Sequence, residues 1–186
     1  MKTLIHLSDL HFGKVDYKKI APLIKVIEEI KPDMVVISGD FTQRAKEEEF
    51  KEAKKFIRRL NLPVFVIPGN HDIPLYNAFK RFRAPFKSYS KFISKDLSPY
   101  YEDEEISLIG INSVRRFAIS SGKIHTNHIE EIERKIEHLD PKIVKIVVCH
   151  HPFDLPPKNQ IKKNTHKVVA QSKTAVQKLS KHKIDM

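Results

Sequence analysis

Cysteine is nearly missing from this chain: Cys149 stands alone among 186 residues, which excludes an intramolecular disulfide. Long apolar runs are missing too. None approaches the ~20 residues needed to cross a bilayer, so integral membrane placement is not expected. The N-terminus passes directly into strand-like sequence without a signal-peptide hydrophobic region, and the expected location is cytoplasmic. There is no internal repeat, low-complexity tract or interdomain linker, so one domain over residues 1–186 is expected. Glycine is scarce, five in all, and beside many Lys and Glu this composition suits a heat-adapted protein. Acids are outnumbered: 23 Asp and Glu face 34 Lys and Arg, a formal charge of +11. That balance favours anionic partners such as phosphates, nucleotides or nucleic acid, and serves solubility equally well.

What is present alternates. Residues 3–8 and Met34–Ser38 are short apolar runs rich in β-branched side chains, as in strands buried on both faces. Between them Ile20, Leu23, Ile24, Ile27 and Ile30 recur at helical spacing until Pro32 prevents continuation. Phe50, Ala53, Phe56, Ile57 and Leu60 line a second, charged helix, followed by the strand Val64–Ile67 and a Pro68-Gly69 turn. Ile106–Ile111 reads as a strand, and Asn127 with Glu130 resembles a capping box. The helix behind it carries Ile129, Ile132, Ile136 and Leu139 and leads to a strand over residues 143–148. This alternation predicts an α/β fold with a mainly parallel sheet, where loops converge beyond the carboxyl ends of the strands.

The stretch from about 73 to 95 breaks the pattern. Lys80, Arg81, Arg83, Lys87, Lys91 and Lys95 are unopposed by acids, while Tyr76, Phe79, Phe82, Phe86, Tyr89 and Phe92 recur every three or four residues. A basic, aromatic helical insert interrupted near Pro85 is expected, its aromatic stripe packed on the core, walling a substrate cleft or facing an anionic polymer. Residues 156–164 read as a polar surface loop.

Chemistry-bearing residues gather where apolar runs stop. Asp9 and His11, two apart at an emerging strand end, can hold one cation between them. Asp40 follows Gly39, whose freedom lets the backbone turn so that the carboxylate projects inward; a carboxylate can bridge two metals. Asn70 offers a neutral amide oxygen to a hard or borderline cation. His71 can titrate near neutrality, with Asp72 able to orient it or stabilise its protonated form. His150 and His151 close the last strand; one of them is expected to ligate metal, and strand-end geometry does not choose between them. Cys149 reads as a small buried side chain within the strand. Arg44 could meet a phosphate oxygen or simply begin a helix.

Taken in order, Asp9-Leu10-His11, Gly39-Asp40, Gly69-Asn70-His71-Asp72 and His150-His151-Pro152 resemble the motifs of the calcineurin-like metallophosphoesterase superfamily over nearly the whole chain. Gly39-Asp40-Phe41-Thr42 and Pro68-Gly69-Asn70-His71-Asp72 look most like the branch that includes class III cyclic-nucleotide phosphodiesterases. The resemblance implies a four-layer α/β/β/α sandwich and two divalent cations of manganese, iron or zinc. By position it implies Asp9 and His11 on the first metal, Asp40 bridging, Asn70 and His150 on the second, and His71 near the leaving group with Asp72 behind it. The superfamily ends its site with Gly-His-x-His after one more strand. This sequence reaches Lys183-Ile184-Asp185-Met186 where that strand would begin, so it is read first as a fragment whose second sheet lacks its C-terminal part, the alternative being a weakened site that never had those ligands.

The function so implied is metal-dependent hydrolysis of a small phosphoester, foremost a phosphodiester such as a cyclic nucleotide. In such a site two cations lower the pKa of a shared water that attacks phosphorus in line. The alternatives are a nuclease acting on nucleic acid and a non-catalytic binding or scaffold protein on the same fold.

Overall fold

In the computed structural model, residues 1–153, 172–181 and 184–185 are described; the loop expected at 156–164 lies outside them. The order is β1 (Leu4–Leu7), α1 (Ile20–Ile30), β2 (Met34–Ser38), α2 (Glu47–Leu60), β3 (Val64–Ile67), α3 (Ala78–Arg83), α4 (Lys87–Phe92), β4 (Tyr100–Glu102), β5 (Ile106–Ile111), α5 (Thr126–Ile136), β6 (Val144–Cys149) and α6 (Ser172–Ser180). Strands β2, β3 and β5 and helices α1, α2 and α5 stand where the apolar periodicities place them.

There are two sheets, each of three strands, as the four-layer resemblance implies. β1, β2 and β3 pair in parallel in that order. In the second sheet β5 is central, parallel to β6 and antiparallel to β4. Three apolar clusters separate four layers. Val35 and Ile37 of β2 face Ile24 and Ile27 of α1 and Phe50, Ala53 and Phe56 of α2. The alternate residues Met34 and Val36 join Phe65 and Ile67 of β3 against Ile106 and Leu108 of β5 and Val148 of β6, between the sheets. Ile109 and Ile111 turn the other way, onto Ile129, Ile132 and Ile136 of α5 and Ala175 and Leu179 of α6. Side-chain alternation along buried strands thus builds the α/β/β/α sandwich.

Helices end on left-handed residues, Lys31 after α1 and Asn61 after α2, where the chain reverses into the next strand. The capping box expected at Asn127 and Glu130 is not formed: the residue preceding α5 is His125, which makes no side-chain cap bond. The helix is carried instead by its buried isoleucines. α3 and α4 are split at Ala84-Pro85, and Tyr89 is wholly buried against Phe41 and Phe50. Beside β6, the Asp185 N–H donates to the Lys145 carbonyl (3.0 Å) and the Lys145 N–H to the Asp185 carboxylate (2.8 Å).

Candidate metal centre

Four strand ends deliver the site. Asp9 and His11 lie beyond β1, Asp40 beyond β2, Asn70 and His71 beyond β3, and His150 beyond β6, so both sheets contribute. Strand alternation alone would bring Asp9 and His11 together, but the geometry is different. Both residues, and Asp40, have left-handed backbone (φ 56°, 46° and 54°), so tight turns rather than pleats point them inward. The turns are locked to one another: the Asp9 N–H donates to the Gly39 carbonyl (3.3 Å) and the His11 N–H to the Asp40 carbonyl (2.9 Å). Gly39 has φ 89°, and a Cβ there would lie 2.7 Å from the Gly69 nitrogen and 2.8 Å from His150 Nδ1. Only glycine permits the approach of β2 to the other two strand ends.

Asp40 is buried at the centre. Its Oδ1 lies 3.4 Å from His150 Nε2 and accepts the His71 N–H at 2.9 Å, and its Oδ2 lies 3.7 Å from His11 Nε2. Two groups of donor atoms each lie within 4.8 Å of one another: His11, Asp40 and His71, and Asp9, Asp40 and His150. Asp40 belongs to both. Asn70 Oδ1 is 3.1 Å from His150 Nε2. Every expected ligand therefore reaches one place, and His71, expected beside the leaving group, also lies within ligand distance.

The three imidazoles share one arrangement. Nδ1 of His150 faces the Ser38 carbonyl (2.8 Å), Nδ1 of His71 the Gln43 carbonyl (2.9 Å) and Nδ1 of His11 the Thr42 carbonyl (3.3 Å). A carbonyl only accepts, so each Nδ1 carries a proton and each Nε2 is the atom that faces inward, able to ligate a cation once it has lost its own proton. Buried acid, amide oxygen and three such nitrogens fit divalent cations of the borderline class.

Without a cation, positive charge in the site is carried by protons. Burial opposes charge on His150, but its hydrogen bond to Asp40 and the negative field of Asp40 prevail and push it up to about 9. The Asp9 carboxyl is held down at about 2 by its contact with His11. His11 is raised in return by the same contact.

Asp72 is where the expected arrangement needs correction. Its carboxylate makes no contact with the His71 ring. It is fully buried and accepts from the backbone N–H groups of Gly69 (2.9 Å), Thr42 (3.0 Å) and Phe41 (3.3 Å) and from the Thr42 hydroxyl (3.1 Å). Asp72 therefore ties the β2 and β3 turns together, and the Gln43 carbonyl, which no side-chain motif announces, orients His71. Burial and the neighbouring Asp40 charge push Asp72 up to about 7.

His151 turns away from the centre: it is buried, with Nδ1 2.7 Å from Ser113 Oγ and packed where a Gly122 side chain would stand. Burial, aided by His150, presses it down to about 4. The structure thus brings His150, not His151, to Asp40. Cys149 packs with the α5 side of the core, and burial pushes its thiol up to about 11. Arg44 does not stand free for phosphate: it donates to the Gln43 carbonyl and lies over the Tyr76 ring.

A family model described as calcineurin-like phosphoesterase matches residues 2–182. The chain is 32% identical over 164 residues to a probable glycerophosphodiester phosphodiesterase of Arcobacter nitrofigilis, covering 82% of this chain and 58% of that protein. It is 24% identical to a probable cyclic nucleotide phosphodiesterase of Ruthia magnifica, covering 81% and 62%. The chain thus spans about three fifths of the length of these relatives, 58% and 62%. In fold it is similar to a dimetal phosphatase from Danio rerio, with TM-score 0.67 at 10% identity over 97% of this chain and 78% of that one.

Proposed function

Because the chain belongs to the calcineurin-like phosphoesterase family, we propose that it carries the active site of a metal-dependent phosphohydrolase whose preferred substrate is a small phosphodiester. The observation that carries this reading is Asp40, buried and shared by two donor groups that approach its two oxygens from different sides. Asp9, His11, Asp40, Asn70 and His150 would hold two divalent cations, manganese, iron or zinc. Bound there, such cations would neutralise phosphate charge and lower the pKa of water.

The chain's own residues supply the rest. The Gly39 and Gly69 turns, with Asp72 bonded to both, hold the ligand set in place before substrate arrives. His71 keeps its Nδ1 proton on the Gln43 carbonyl, so Nε2 is the atom that gives a proton to the departing oxygen. The preference for a diester over a monoester is supported by the names of the two relatives, and the cyclic nucleotide and glycerol diester classes are both open to it. The whole of 1–186 is read as one domain, with 73–95 an insert beside the site.

The test is hydrolysis of a chromogenic phosphodiester and the matching monoester with Mn²⁺ and with chelator. We expect metal-restored turnover, faster on the diester, and its loss in Asp40→Ala. Unchanged metal-dependent turnover in Asp40→Ala would refute the site.

A further inference from the structure

Five large apolar side chains stand out from two segments far apart in sequence. Tyr76 (81% exposed), Phe79 (72%) and Phe82 (44%) come from α3 and its approach, and Phe117 (81%) and Ile119 (68%) from the loop after β5. Apolar side chains gathered in this way on a surface mark a binding site more often than chance. One buried side chain joins the segments: Arg81 donates to the carbonyls of Arg116 (2.7 Å), Ala118 (2.5 Å) and Pro74 (3.0 Å). Arg116 returns a bond to the Phe82 carbonyl (3.0 Å), and the Phe82 and Phe117 rings meet at 5.1 Å between centroids.

Charge within the two segments has one sign, and the acid that meets them comes from α2, where Glu47 pairs with Lys91 (3.1 Å) and stands near Lys80. Neither 73–95 nor 106–129 contains an acid. The Arg83 guanidinium lies 5.8 Å from the Phe79 ring centre and that of Arg44 5.6 Å from the Tyr76 ring centre. Arg44 also binds the Gln43 carbonyl that orients His71, so the surface adjoins the candidate metal centre.

We propose that this aromatic–guanidinium platform binds single-stranded nucleic acid, with bases stacked on Tyr76, Phe79 and Phe117 and phosphates met by Lys80, Arg83 and Arg116. Every base offers a π-face to an exposed ring, and the backbone beside it offers the anions that unopposed guanidinium groups attract. A second copy of the chain would bring the same cations against themselves. A bilayer would have to take in Phe79 and Tyr76 with a guanidinium over each ring, which hydrocarbon penalises. The proposal does not depend on the hydrolytic reading, because binding needs no cation in the centre.

The experiment is fluorescence anisotropy of a labelled oligothymidylate of about ten nucleotides, titrated with the whole chain in excess chelator at rising KCl. Wild type should bind, with affinity falling steeply between about 50 and 200 mM salt. Phe79→Ala/Phe117→Ala, whose side chains are mostly solvent-exposed, should melt as wild type does and bind at least roughly tenfold more weakly at unchanged salt slope. Arg83→Gln should lower that slope by about 0.7. Absence of binding at low salt would overturn the proposal, as would equal affinity in the double variant. Capture by phosphatidylglycerol vesicles that excess oligonucleotide does not reverse would assign the surface to lipid and overturn it as well.

Discussion

At the scale of single residues, the roles of neighbouring histidines are divided by what their ring nitrogens meet. His71 is fixed by a backbone carbonyl with its other nitrogen in the centre, where the proposed proton donor would stand. For His71→Ala we expect roughly a hundredfold or larger fall in kcat on a diester with an alkyl leaving group, and a much smaller fall on a nitrophenyl ester, whose leaving oxygen needs no proton. Equal losses on both would make His71 a ligand, as its place beside His11 and Asp40 allows.

His151 has a different effect. It is neutral in the fold, pressed from 6.5 to about 4 by burial and then by His150. A pKa depressed on folding gives stability that is whole above about pH 6.5 and is lost as pH falls through about 4. The shift corresponds to about 3 kcal/mol. Urea midpoints at the two ends of that window should show it, and His151→Gln should flatten the difference.

At the scale of elements, Arg81 holds α3 to the loop after β5 through carbonyls, beside the one ring contact of Phe82 with Phe117. Removing the guanidinium strands those carbonyls at about 1–3 kcal/mol each when they stay dry, so the segments should part before the sheets open. In Arg81→Met, hydrogen exchange should quicken over 74–83 and 113–119 while β2 and β5 keep their protection.

The same contrast explains what the sequence makes legible. Strands β2, β3 and β5 follow from short apolar runs, and α1, α2 and α5 from isoleucines and phenylalanines at helical spacing, because burial writes a periodic signal. The ligand residues are legible because polar groups interrupt those runs at their ends. The division into two sheets and the strand β4 have no such signal: Tyr100–Glu102 is half polar and owes its place to pairing with β5. Asp72 and Gln43 exchange the expected task because backbone N–H and C=O groups, which carry no sequence mark, decide both contacts. Arg81 looks like one more cation in a basic stripe, and only the chain that returns after β5 shows that it is buried.

At the scale of the whole molecule, the centre stands where both sheets end. Asp9, Asp40 and Asn70 follow strands of the first sheet and His150 a strand of the second, and hydrogen bonds such as His150 Nδ1 to the Ser38 carbonyl link them at this edge. Cations held by these side chains would bind the folded chain and not the unfolded one, so they should stabilise the layers against separation. At Mn²⁺ near a hundred times its dissociation constant the gain is about 2.7 kcal/mol, or roughly 5–10 °C in Tm for a domain of this size. Thermal melting with Mn²⁺ and with chelator should show that rise, and Asp40→Ala should lose most of it, since each donor group then lacks its shared oxygen. A rise that survives in Asp40→Ala would place the stabilising cation elsewhere, because no other carboxylate among the described residues joins both groups.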